Sequence, residues 1–166
     1  GVGAVDLPHM QAEVGVVGAG MELGRYGLEG VQSEQAWENR FALHQVVRSH
    51  FQGTIAIHGP FIGMEYAHID HLIQQAVHRR LDLTLDAAVK LEASRLVLYS
   101  GYKPENGLFN LQESWLEANV AVWQHEIRRW QAAGIGVVLE NDTDKSPDLL
   151  LRLVNAVDHP FLGLCL

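Results

Sequence analysis

The sequence predicts an α/β protein, a (β/α)8 TIM barrel that is incomplete, with about six strands and five helices in 166 residues. Three observations lead there. Short apolar runs alternate with long amphipathic segments, the pattern of βαβ units on a parallel sheet. Runs such as Val137-Val138-Leu139 are continuous, as strands buried on both faces require. Successive runs end on polar residues: Asp6, Glu22, His58, Tyr99 with Ser100, and Glu140. A doubly wound sheet would spread those ends along an edge, whereas a barrel gathers them around one mouth.

Val2 to Val5 is the expected first strand, stopped by Asp6 and Pro8. Gly20-Met-Glu-Leu23 is a weaker second strand, diluted by glycine. Residues 33–50 read as a helix opened by Ser33 as N-cap. Thr54 to Ile57 is a strand, closed by His58-Gly-Pro60, and residues 68–92 are mostly helical, with Leu72, Ile73, Ala76 and Val77 on one face. Arg95 to Tyr99 is the next strand, ended by Ser100 and Gly101. Over residues 112–133, Leu116, Val120, Trp123, Ile127 and Trp130 step by four and three, which predicts a helix, with Gly134 as its stop. Ile135 to Glu140 is the fifth strand and runs into a polar loop. A helix from Ser146 or Pro147 to Val157 and a sixth strand, Phe161 to Cys165, complete the series.

A barrel of this kind takes about 250 residues, and six strands would leave two unpaired edges. The expectation is therefore a single domain, residues 1–166, forming the N-terminal part of a barrel within a longer protein. An open sheet completed by a partner chain is the alternative. The formal charge of -8 argues against a nucleic-acid partner, since phosphate binding shows as a basic surface. Cys165 is the single cysteine, which favours a reducing, cytoplasmic setting. No apolar run approaches the roughly 20 residues needed to span a bilayer, and the N-terminus lacks the pattern of a signal peptide.

Glu140 is the leading candidate for chemistry, because ligands and metals bind at the C-terminal ends of parallel strands; the plain alternative is a carboxylate capping its loop. His58 precedes Gly59-Pro60, which constrains its direction, and is read as facing the pocket rather than as a structural histidine. Glu22 either lines the pocket floor or pairs with Arg25. Tyr99 and Ser100 are candidate contacts to substrate hydroxyls, against simple packing for the tyrosine. Two further patterns are set aside. Val14-Gly-Val-Val-Gly-Ala-Gly20 has Leu23 where a dinucleotide-binding turn needs its third glycine. His68-Ile-Asp-His71 has the spacing of a metal clip but no further ligands, and reads as a solvated helix start with Asp70 in the first turn. Trp115, Trp123 and Trp130 read as packing, and His78-Arg79-Arg80 and Arg128-Arg129 as solvated faces.

Gly20-Met-Glu-Leu23, Ile55-Ala-Ile-His-Gly-Pro-Phe61, Leu96-Val-Leu-Tyr-Ser-Gly-Tyr102 and Val137-Val-Leu-Glu-Asn141 together resemble the xylose-isomerase-like TIM barrel superfamily. Phe161 to Leu166 looks like the family strand that runs into an Asp. For the isomerase and epimerase branch, the resemblance implies a sugar or sugar-phosphate substrate and one divalent metal, Mn or Mg favoured, held by two Glu, one Asp and one His. Glu140 matches the first ligand, with a catalytic role implied, and the matching Asp would fall just past Leu166. In that branch a residue such as His58 faces substrate. The endonuclease-IV-like branch, a phosphodiesterase on DNA, implies Zn held by several His; His58 matches one position, but Tyr99 stands where a second would be. A degenerate barrel acting as a binding module is the third reading. The expected partner is a small sugar, with no membrane, and homo-oligomerisation is left open.

Overall fold

The computed structural model describes residues 20–24, 26, 33–141 and 146–165. The expected first strand with Asp6, most of the glycine-rich turn, Arg25 and residues 142–145 lie outside them. Within them the order is β1 (Met21–Leu23), α1 (Glu34–His50), β2 (Ile55–His58), α2 (His71–Lys90), β3 (Arg95–Tyr99), α3 (Pro104–Leu108), α4 (Gln112–Ala132), β4 (Gly136–Glu140), α5 (Asp148–Val157) and β5 (Leu162–Cys165). All strand pairs are parallel and their spatial order is β1-β2-β3-β4-β5. Strand order never reverses, so there is no switch point of the doubly wound kind. Each strand neighbours its successor, as in a (β/α)8 barrel wall.

The convex face of the sheet carries the core. Ile55, Ile57, Leu96, Leu98, Val137 and Leu139 are buried almost completely. Against them lie Val77, Leu81 and Ala88 of α2, Trp123, Ile127 and Trp130 of α4, and Leu150 and Leu153 of α5, all in one cluster. Each such aliphatic or aromatic side chain contributes about 1.5–3 kcal/mol by leaving water. The tryptophan stripe is packing as expected: Trp123 and Trp130 are fully buried and Trp115 partly so.

Helix ends follow local chemistry. The Ser33 hydroxyl accepts from the Ala36 N–H at 3.1 Å, and the Asp70 carboxylate from the Leu72 N–H at 2.8 Å. Asp70 is thus the N-cap of α2 and not a first-turn residue, so this helix starts three residues later than the periodicity indicated. The short α3 has no apolar stripe to announce it; Pro104 at its first position starts it. Helix α4 ends with the Ile135 N–H donating to the Trp130 carbonyl and the Gly134 N–H to that of Gln131. Gly134 sits at φ +73°, and these paired bonds form a Schellman stop. Helix α2 ends the same way with Glu92 at φ +53° and Ala93 donating to Ala88.

The basic clusters are more than solvated faces. Arg129 pairs with Asp82 and Glu126, and His78 reaches the same buried Glu126 at 3.2 Å, which ties α2 to α4. Arg80 donates to the carbonyls of Ile62 and Gly63, both at 3.0 Å. Those bonds fix the loop after β2 from behind.

A Cβ added at Gly134 meets nothing within 4 Å. Gly134→Ala should therefore cost only the left-handed backbone penalty, about 1 kcal/mol, read as a lower urea midpoint at unchanged slope. An unchanged midpoint would show that α4 does not end in this conformation.

Candidate functional site

Side chains alternate along a strand, so residues paired across the ladder point to the same face. The register aligns Glu22 with Ala56, His58 with Val97, Tyr99 with Glu140, and Glu140 with Cys165. These residues occupy the concave face, opposite the helices. Apart from Val97, buried but outside the main cluster, they keep part of their surface exposed. His58, Tyr99 and Glu140 close three successive strands at their C-terminal ends, and the structure brings them together.

His58 reaches across β3 so that its Nε2 lies 3.4 Å from Oε2 of Glu140. Its other nitrogen, Nδ1, is 3.2 Å from the Gly59 carbonyl oxygen. A carbonyl can only accept, so Nδ1 carries hydrogen and donates. Nε2 then meets the carboxylate as acceptor against acceptor unless a proton or a cation lies between them. The Tyr99 ring meets His58 edge to face, with centroids 5.2 Å apart, and the Tyr99 carbonyl accepts from the Tyr66 hydroxyl at 3.0 Å. Burial raises the Tyr66 phenol above its usual range, which keeps it a donor there.

Ser100 follows Tyr99 and is buried. Its backbone N–H donates to the Glu140 carbonyl at 3.0 Å, and its hydroxyl accepts from the Tyr102 N–H at the same distance. Ser100 therefore shapes the turn after β3. Glu22 lies one pleat deeper than His58 on the neighbouring strand, which suits the pocket floor. Burial first, then the Glu140 and Glu22 carboxylates, raise the Cys165 thiol above its usual range. Flat, the sheet would separate β1 from β5 by four spacings, about 19 Å, beyond the roughly 8 Å reach of charge in physiological salt. A curled sheet, as in a barrel wall, brings those two edges closer.

One residue of this rim was not assigned a role from sequence. Phe61 packs on His58 at 5.9 Å and on Tyr99 at 5.3 Å between ring centroids. It is partly exposed and belongs neither to the core nor to the side chains packed on it. Only its place two residues after Gly59 signalled it, and a Phe in a loop carries no chemistry by itself.

Residues 22–166 match the family model described as xylose isomerase-like TIM barrel. The chain belongs to that family. Among solved structures, it is similar to the TTHB071 protein of Thermus thermophilus, from crystals soaked with ZnCl2, at 27% identity and TM-score 0.65 over 95% of this chain and 60% of that one. It is also similar to a D-tagatose 3-epimerase-like protein, at 21% identity and TM-score 0.66 over 87% and 54%. A xylose isomerase domain protein from Planctomyces limnophilus matches at 20% identity and TM-score 0.58, over 95% and 56%. The last two likenesses establish the fold alone. The chain spans between 54% and 60% of the length of these three proteins. No curated protein matches significantly.

A divalent ion, as family resemblance implies, finds a partial set of donors here. Glu140 offers a carboxylate oxygen and His58 an imidazole nitrogen, already converging. Among the described residues no group of three or more His, Cys, Asp or Glu is placed to hold a metal. These are two donors, and further ones would be needed to complete a shell.

The Cys165 thiol reports on this geometry. In chelator at pH 8 it should react with iodoacetamide more slowly than free cysteine, because its raised pKa leaves less thiolate. Glu140→Gln should speed the reaction and Glu22→Gln should speed it less, following the order of their effects. Equal rates in all three proteins would mean that neither carboxylate faces the thiol.

Proposed function

We propose that this protein is a metal-dependent sugar or sugar-phosphate isomerase or epimerase, moving a proton on the carbon beside a carbonyl. One observation carries the reading: at the C-terminal rim of a xylose isomerase-like sheet, the Glu140 carboxylate faces an imidazole nitrogen that the Gly59 carbonyl has fixed in direction. Glu140 would hold the divalent ion, which when bound polarises a carbonyl and its neighbouring hydroxyl, and His58 beside it would contact the substrate. Mn or Mg suits the oxygen donors of a sugar, and the ZnCl2 soak of the Thermus protein supports a divalent ion in general. Glu140 would also orient the substrate, and Glu22 would bound the floor. The substrate is a small polyhydroxylated molecule. No described helix is long and apolar enough to cross a membrane; the cytoplasmic setting read from the single cysteine is part of the proposal.

The test is deuterium exchange from D2O into the carbon next to the carbonyl of a panel of ketoses, with Mn²⁺ supplied to the full-length protein. Glu140→Gln should lower exchange by at least about 100-fold, with metal content falling in parallel, and His58→Gln by about 10-fold to 100-fold. Exchange and metal content unchanged in Glu140→Gln would end this reading. Incision of abasic-site DNA by the wild type would instead favour the phosphodiesterase branch.

A further inference from the structure

The loops that follow β2 and β3 enclose a cleft against the first half of α4. Its volume is about 320 Å³, at the small end of the roughly 300–1,000 Å³ of ligand pockets. Glu22, His58, Phe61, Tyr99 and Glu140 take no part in it. Its walls are held in place by contacts of their own. Gly101 takes φ +71°. A Cβ there would strike the Met64 carbonyl oxygen and lie 3.0 Å from the Tyr66 ring, so glycine is what lets the two loops lie on each other. The Tyr66 ring rests on Trp123 with centroids 5.0 Å apart, and Trp115 meets Tyr102 edge to face at 5.4 Å. The Asp70 N–H donates to Nδ1 of His68 at 2.9 Å, and the Gln74 side-chain amide donates to the His68 carbonyl at 2.6 Å.

The polar groups of this cleft lack donors. Because Nδ1 of His68 accepts an N–H, the ring carries its hydrogen on Nε2 and is uncharged in this arrangement. That nitrogen stands 4.0 Å from Oε2 of Glu65, too far for a hydrogen bond. No lysine or arginine lines the cleft among the described residues, so the half-exposed Glu65 carboxylate meets no cation there. Asn119 of α4 is almost wholly buried; its Nδ2 donates to the Trp115 carbonyl at 2.8 Å, and its Oδ1 has no partner among the described residues. Around these acceptors the lining is apolar, with Tyr66, Trp115, Leu111 and Ile69. Ile69 is 99% exposed and Leu111 is exposed as well, which leaves apolar surface in water at the cleft. A ligand that answers both needs has N–H donors bearing positive charge and an apolar body. The cation pairs with a carboxylate and lies on an indole face, while the body removes Ile69 and Leu111 from water. The formal charge of -8 favours a cation at longer range. We infer that this cleft is a second binding site, for a small organic ammonium compound carrying an aromatic or branched aliphatic group, with Glu65 as its counter-ion and Trp115 as its apolar wall. It shares no residue with the sugar-directed site and does not depend on that reading.

The experiment is titration of the full-length protein with phenethylamine at neutral pH, followed by calorimetry and by tryptophan emission. Binding should saturate with a Kd below about 1 mM. Trp37, Trp123 and Trp130 are buried, so the accompanying change in emission should come from Trp115 and vanish in Trp115→Phe, in which calorimetry still detects binding. Phenethyl alcohol, which has the same body without the charge, should bind at least about fivefold more weakly. Glu65→Gln should weaken the amine by a similar factor at an unchanged melting temperature. Ala118→Lys, at an exposed helix position lining the cleft, should do the same by placing a competing cation there. Glu140→Gln should leave the Kd as it is. The inference is overturned if phenethylamine does not bind saturably, if the alcohol binds as tightly as the amine, or if neither Glu65→Gln nor Ala118→Lys weakens it. A weaker Kd in Glu140→Gln would also overturn it, since the amine would then occupy the concave rim.

Discussion

The parallel ladder through β2, β3 and β4 pairs His58 with Val97 and Tyr99 with Glu140, and that register decides which side chains share the concave face. The side-chain period of a strand is two, so a slip of one residue would send Glu140 into the helix layer and bring Leu139 to the mouth. The slip is opposed from the convex side. Leu98 and Leu139 are fully buried there, and displacing either costs about 2–5 kcal/mol when judged by truncations of buried leucine. The close approach at Gly59, where a Cβ would lie 2.6 Å from the Leu98 side chain, depends on the same ladder. Its bond to the Val97 carbonyl extends the pairing one residue past His58, and the carbonyl of Gly59 then fixes the imidazole. Packing on one face of the sheet thus sets the direction of a nitrogen on the other.

The fold was largely legible in the sequence because its signals are local. Leu116, Val120, Trp123, Ile127 and Trp130 mark α4 by spacing, and Gly134 marks its end, since few other residues take φ +73° without strain. The extended N-terminus expected for α2 failed for a physical reason. Asp70 is as good a cap as a first-turn residue, and only the bond to Leu72 distinguishes the two. The site was legible in part. Glu140, His58 and Tyr99 were readable as strand ends, and the structure brings all three together. Ser100 was readable as a strand-end hydroxyl, but its bond to the Tyr102 N–H depends on how the turn folds back. The place of Phe61 on this rim was not legible, because it shows only in the rings Phe61 touches and in the distant Arg80 that holds its loop.

The two faces of the sheet carry different burdens. On the convex side, apolar side chains from the long helices and all five described strands join one cluster, and this burial is what offsets the entropy of ordering the chain. On the concave side only Val97 is deeply buried, among charged and polar neighbours whose surfaces stay partly open. Burial first, then the carboxylates of Glu140 and Glu22, raise the thiol there, and the Arg95 guanidinium on the same face opposes them. The concave residues are therefore poor explanations of stability, and a sequence free to choose would fill such a face with aliphatic side chains, as barrel interiors allow. An imidazole, two carboxylates and an off-core phenyl ring at that rim add little to stability, and the apolar layer on the other face supports the sheet that carries them.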